Sequence, residues 1–205
     1  HIFEQVMNNK EILIKDIQLI TDEEKNLIFN NFNNTSLKYD TTKTIIDLFK
    51  EQVLSNPKKI ALVCDGKSIT FKDLDNTSDK FAGFLQKKYN LRVGNNISVI
   101  LERSIDLIIT ILSILKCGCS YVLIDPSHPS DRKKYMIDNS NSKYIISNLD
   151  YDVENLIHID NILDMNIDYE YKLPKLTSDN NMYLLYTSGS TGNPKAVTIT
   201  HRNFH

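Results

Sequence analysis

The sequence predicts an α/β fold, a sheet layered with helices, and three observations predict it. Short runs rich in Val, Ile and Tyr recur along the chain. Between them lie longer segments whose apolar residues return at helical spacing. A stretch dense in Gly, Ser and Thr, "TSGSTGNPK", follows one of the apolar runs, where an α/β sheet places its ligand loops.

The first forty residues stand apart. Their opening, "HIFEQVMNNK", is polar and interrupted, unlike a secretory signal. "ILIKDI" reads as a short strand-like run, and Thr21-Asp22-Glu23-Glu24 as a helix N-cap with an acidic first turn. That helix should fade in the Asn-rich "NNFNNTS", so residues 1–40 read as a linker with one short helix.

From Thr41 onward the pattern is regular. Ile45, Phe49 and Val53 share one side of a helix that Pro57 ends. "KIALVCDG" and "KSITF" are strands about the turn Asp65-Gly66, and Phe71 to Tyr89 is the next helix. "NISVIL" is a strand, and Ser104 to Lys116 is so apolar that it should be buried on nearly every side. "SYVLID", a helix after Pro129, "KYIIS" and "NLIHID" continue the alternation. Tyr183–Tyr186 and "AVTIT" are strands around the glycine-containing loop, and His201-Arg202-Asn203 opens a further helix.

Composition bounds the function. At 205 residues, 41% hydrophobic and 24% charged, the chain is that of a soluble globular protein with one domain or parts of two. A net charge of −2 points to neither a nucleic-acid nor a membrane partner. The apolar run Ile105–Leu115 is about half as long as a membrane span. Cys117-Gly118-Cys119 lacks the ligands a zinc site needs and reads as small buried residues around a tight glycine. Unpaired thiols fit a reducing cytoplasm. The chain opens on His and stops at "HRNFH" as a new element begins, as a piece of something longer would.

The loop invites an anion. Glycines let successive backbone N–H groups converge, and hydroxyls with one ammonium add the donors a phosphate needs. Gly189 and Gly192 are too close for a P-loop, and Asn193-Pro194 separates Lys195 from Gly192. The spacing also fails the dinucleotide fingerprint and the nucleophile elbow, which leaves Ser188 and Ser190 poor hydrolase nucleophiles. The plain alternative is a Gly/Ser surface turn. Asp125 and Arg132 pair or cap a turn, with Pro126 and Pro129 stiffening the entry to the next helix. His128 and His158 read as ordinary loop and strand residues, and His201 as the start of a helix.

"YTSGSTGNPKAV" resembles the signature loop of the adenylate-forming enzymes: acyl-CoA synthetases, luciferases and adenylation domains of nonribosomal peptide synthetases. "LKCGCSYVLIDPSHPSDR" is similar to the peptide-synthetase motif LKAGGAYVPIDPxxPxxR, and "ITFKDLD" to LTYxELN. "DIQLITDEEKNLIFNNFNNTSLKYD" is similar to the segment joining a condensation domain to an adenylation domain. Ala196 replaces the family's Gly after the loop lysine, Cys117 and Cys119 replace Ala and Gly, and Leu123 replaces Pro.

The resemblance implies that 41–205 is the N-terminal portion of an AMP-binding adenylation domain, ending after the phosphate loop. It implies a ligase that joins an amino acid to ATP as an aminoacyl adenylate and then loads a phosphopantetheine thiol on a carrier domain. Thr187, Ser188, Gly189, Ser190, Thr191, Gly192 and Lys195 would grip the phosphates. The acyl pocket, the nucleotide-base contacts, the Mg2+ ligand and the catalytic lysine would lie beyond residue 205, so these residues alone should be inactive. An acyl-CoA ligase and a non-catalytic remnant are the alternatives.

Overall fold

In the computed structural model, which describes residues 1–38, 40–151, 153, 155–160, 162–165, 170–187 and 194–204, internal contacts divide the chain into His1–Asp40 and Thr41–His205. In the first unit the polar N-terminus forms helix α1 (Ile2–Asn8), which its sequence does not announce. The run "ILIKDI" makes no strand. Ile14–Asp16 is a 3-10 turn with Ile14 90% exposed, because a lone strand leaves its backbone groups without partners. Thr21 does cap a helix, α2 (Asp22–Asn26). Its hydroxyl accepts from the Glu24 N–H at 3.1 Å, and the Glu24 carboxylate accepts from the Thr21 N–H at 2.8 Å. The turns then widen into a π-helix over Leu27–Phe32.

The second unit opens on helix α3 (Ile45–Ser55), capped by the pair Thr44 and Asp47. Strands β1 (Ile60–Cys64) and β2 (Lys67–Thr70) form a hairpin whose turn residues Asp65 and Gly66 both have positive φ, at 48° and 75°. This hairpin is a sheet of its own, separate from the main one. Helix α4 (Phe71–Tyr89) follows, with Thr70 as its cap.

The main sheet draws on β3 (Asn96–Ile100), β4 (Ser120–Leu123), β5 (Ser142–Ser147), β6 (Leu156–His158), β7 (Asn181–Thr187) and β8 (Lys195–Thr200), with helix α5 (Ile105–Lys116) after β3 and helix α6 (Ser130–Asn139) after β4. Their spatial order is β6-β5-β3-β4-β7-β8. All neighbours pair in parallel except β7 and β8, which are antiparallel.

Side-chain alternation puts different helices on the two faces. Ile97 and Val99 join a cluster with Leu74, Phe81 and Leu85 of α4 and Ile109 and Ile114 of α5. Ile100 turns the other way, into a cluster with Val122, Ile124, Ile145 and Met136 of α6. No residue of α5 is exposed, as a helix with apolar residues on every side requires.

Helix α5 stops at a glycine. The Gly118 N–H donates to Leu115 O at 2.9 Å and the Cys119 N–H to Ile114 O at 3.1 Å, the paired bonds of a Schellman stop. Gly118 sits at φ 74°, and a Cβ there would lie 2.7 Å from both Leu176 Cδ2 and Val93 Cγ2. The flanking thiols are buried, with Cys119 Sγ donating to Arg92 O at 3.2 Å, and neither cysteine is in a disulfide.

The residue before that stop is a fully buried lysine. Lys116 Nζ meets Asp75 Oδ1 and Ser78 Oγ at 2.8 Å each, Asp75 O at 3.0 Å, and Asp79 Oδ1. Lys50 of α3 reaches the same carboxylates, Asp75 at 2.7 Å and Asp79 at 3.0 Å. Tyr171 donates to Lys116 O at 2.9 Å, and the Phe49 and Tyr171 rings flank the ammonium. Burial pulls the Lys116 pKa below its ordinary value, against the hydrogen bonds it donates to both carboxylates. Burial pushes Asp75 up, but hydrogen bonds from Lys116 and Lys50 outweigh it and hold its carboxyl below 3.8.

Replacing Lys116 by Met should cost about 3–5 kcal/mol in urea unfolding, because two carboxylates would then share Lys50 alone. The lowered Asp75 pKa makes its contribution present above 3.8 and lost as pH falls through the lower folded value. The destabilisation by K116M should therefore be largest near neutral pH and shrink as pH falls through the folded Asp75 value, as urea unfolding at a series of pH values would show. Gly118→Ala should destabilise by about 1–3 kcal/mol through its positive φ, with the close contacts adding to that.

Candidate functional site

Chain connections decide where this sheet can hold a ligand. From the carboxyl end of β4 the chain turns through α6 back toward β5, while from β7 it turns the opposite way to β8. Adjacent parallel strands whose outgoing connections diverge leave a crevice at their carboxyl ends. A cleft of about 460 Å³ lies there, walled by Arg103 after β3, by Ile124, Asp125 and Arg132 on the path into α6, and by Leu185 and Tyr186 of β7.

The glycine-containing loop begins beside this cleft. Strand β7 ends at Thr187 and β8 begins at Lys195, and these two residues face each other across the hairpin. Thr187 Oγ1 donates to Lys195 O at 3.4 Å. Lys195 is exposed, and among the described residues its ammonium meets no carboxylate. Ser188, Gly189, Ser190, Thr191 and Gly192 lie outside the described residues. Of the sequence-derived site residues, the structure therefore brings Thr187 and Lys195 together at the mouth of the loop.

Both stems of the loop touch α6. Tyr186 Oη lies 2.8 Å from Asn139 Oδ1 and 3.0 Å from Met136 O, and Tyr135 Oη donates to Pro194 O at 3.2 Å. Burial pushes the Tyr186 phenol up. Nothing in the sequence singles out Tyr135 or Asn139 for this contact, because their partners are 59 and 47 residues away.

The flanking residues serve structure. Asp125 caps a turn, its Oδ1 accepting from the Ser127 N–H at 2.8 Å and the Ser127 hydroxyl at 2.7 Å, and those two bonds lower its pKa. Among the described residues it makes no ion pair with Arg132. His158 is half-exposed on β6 beside Asp150 and Asp160. His201 opens a 3-10 helix (His201–Phe204) but is 1% exposed, and its Nδ1 accepts from the Ile45 N–H at the start of α3 at 3.3 Å. Among the described residues no group of three His, Cys, Asp or Glu could hold a metal ion, and no helix is long and apolar enough to cross a membrane.

A family model described as AMP-binding enzyme matches residues 49–205. The chain belongs to the AMP-binding enzymes.

Within that family it is similar to gramicidin S synthase 2 of Brevibacillus brevis, 32% identical over 98% of this chain and 5% of the relative. Tyrocidine synthase 3 of Brevibacillus parabrevis is also 32% identical, over 98% of this chain and 3% of the relative. The NpsA N-terminal subdomain of Klebsiella oxytoca, in complex with 3-hydroxyanthranilyl-AMSN, superposes with a TM-score of 0.68 at 29% identity. That match covers 78% of this chain and 41% of the NpsA chain. NpsA-ThdA, an artificially fused adenylation-PCP di-domain from the same organism, gives 0.69 at 28% identity, over 80% of this chain and 34% of the fusion. The α/β architecture is that of the N-terminal part of an adenylate-forming enzyme. The chain spans less than a tenth of the length of these curated relatives and under half of the matched structures.

Proposed function

We propose that this chain supplies the phosphate-gripping part of an adenylation domain that activates an amino acid with ATP in nonribosomal peptide synthesis. The observation that carries the reading is the position of "TSGSTGNPK" in an AMP-binding enzyme: between β7 and β8, beyond the carboxyl ends of parallel strands, with Thr187 and Lys195 paired at its mouth.

In this reading the carboxylate of the acid attacks the α-phosphorus of ATP and pyrophosphate leaves. Negative charge gathers on the departing oxygens. Thr187, Ser188, Ser190 and Thr191 donate hydroxyl hydrogen bonds there, while Gly189 and Gly192 let the backbone approach closely. Lys195 adds a point charge in the same loop. None of these residues acts as a covalent nucleophile. Mg2+ would accompany the triphosphate, with its protein ligand expected beyond residue 205. The phosphopantetheine thiol of a carrier domain then attacks the adenylate's carbonyl carbon, the acyl group passes to sulfur as a thioester, and AMP leaves. Residues 1–40 serve as the junction to a condensation domain, and free thiols at Cys64, Cys117 and Cys119 fit a cytoplasmic protein.

ATP–pyrophosphate exchange by the intact protein, across amino acids, tests the assignment. The panel should include anthranilate-type aryl acids, because the similar NpsA subdomain was captured with a 3-hydroxyanthranilyl compound. Exchange with one amino acid well above the others is the expected result. Exchange with aryl or fatty acids alone would reassign the substrate class, and none with any acid would leave the chain a non-catalytic remnant. Lys195→Ala should slow exchange by about 2–4 kcal/mol of transition-state stabilisation while leaving the melting temperature unchanged. Residues 1–205 by themselves should support no exchange, since the family resemblance places the acyl pocket that orients the attacking carboxylate beyond them.

A further inference from the structure

Strand β7 leaves the sheet before it reaches the loop. Its pairing with β4 covers Tyr183 and Leu184, and Leu185 to Thr187 pair with β8 alone. Strand β8 is the sheet edge, with Lys195, Ala196, Val197 and Thr198 all exposed. The loop end of the hairpin is thus an outrigger. A two-stranded ribbon standing off its sheet is marginal in water without another support.

Helix α6 is that support. Among the described residues, side-chain hydrogen bonds from outside the hairpin reach its loop end from α6 alone. Tyr135 Oη holds the exit at Pro194 O, 3.2 Å away, and Asn139 Oδ1 holds the entry at Tyr186 Oη, 2.8 Å away. Pro194 has no N–H, so its carbonyl is the only backbone handle it offers. The helix is itself fixed from below. Met136 is 3% exposed among Ile100, Val122, Ile124 and Ile145, and Lys133 Nζ donates to Pro126 O at 3.0 Å. Successive turns of one packed helix therefore grip both stems of one loop.

We propose that Tyr135 and Asn139 are positioning residues: they clamp the two stems of the phosphate loop to α6 and so set where its donors meet the triphosphate. The proposal rests on the phosphate reading of that loop. Neither residue touches ATP in this scheme, and their effect passes through Tyr186 and Pro194.

The test compares Y135F, N139A and Y186F with the wild-type intact protein by amide hydrogen exchange over residues 184–198 and by ATP–pyrophosphate exchange kinetics. Each variant loses a hydrogen bond without losing its backbone. The expected result is faster amide exchange in 184–198, by roughly 3- to 10-fold, with β3 and β5 unchanged. KM for ATP and for pyrophosphate should rise by a similar factor while KM for the amino acid holds. Y135F combined with Y186F should exceed either single change. Unaltered amide exchange at 184–198 in Y135F and Y186F would overturn the clamp. A lower melting temperature with uniform loss of protection and no ATP-specific change would also overturn it, leaving plain packing. A wild-type protein without pyrophosphate exchange would remove the phosphate reading, and with it the catalytic purpose of the clamp. The hydrogen-exchange comparison would then still decide whether α6 restrains the hairpin.

Discussion

A single buried ammonium ties together the three helices on one side of this molecule. Lys116 carries a charge that water would otherwise solvate, and its removal from water is tolerable only where several oxygens replace the lost shell. Those oxygens come from Asp75, Ser78 and Asp79 of α4, and Lys50 of α3 balances the second carboxylate. The cluster holds two lysines and two aspartates, so its formal charge is zero. Helices α3, α4 and α5 cannot shift relative to one another without stranding one of these charges. Two of the stretches that carry the family resemblance, "LKCGC" and "ITFKDLD", meet at the Lys116–Asp75 bond, where the motif LTYxELN has Asn in place of Asp75.

That fixed layer serves the opposite end of the sheet indirectly. With α4 and α5 locked against Ile97 and Val99, strand β3 presents Ile100 to the other face, where Met136 seats α6. Helix α6 in turn lies under the stems of the glycine-containing loop. Packing thus runs unbroken from a buried ion cluster through a sheet to the edge where the stems of the glycine-containing loop stand. Catalytic geometry needs such backing, since an electrostatic site works only when its dipoles are held before the charge develops.

Some features were fully legible in the sequence. The helix N-cap at Thr21, the hairpin turn at Asp65-Gly66, the burial of α5 and the tight glycine between buried Cys117 and Cys119 each follow from residues within a few positions of one another. The reading of "ILIKDI" as strand-like failed because its apolar residues supply a pattern without a partner strand. Of the two readings open for Asp125 and Arg132, pairing or capping a turn, the cap is the one realised at Asp125, since the Ser127 hydroxyl and amide two residues away reach its carboxylate. Helix α1 carried no signal strong enough to read.

The sequence by itself determined the alternation of elements, the cap and stop of most helices, and the donor-rich chemistry of the loop between β7 and β8. These depend on local hydrogen bonding and on side-chain period, which act over a few residues. Tertiary structure alone decided that the β1–β2 hairpin stands outside the main sheet, that β4 and β7 are neighbours with diverging exits, and that Lys116 rather than a surface lysine holds the helices together. It alone brought Tyr135 to Pro194 and Asn139 to Tyr186. The reason is distance along the chain: such pairs are chosen by how whole elements pack, and no spacing within one element records the partner on another.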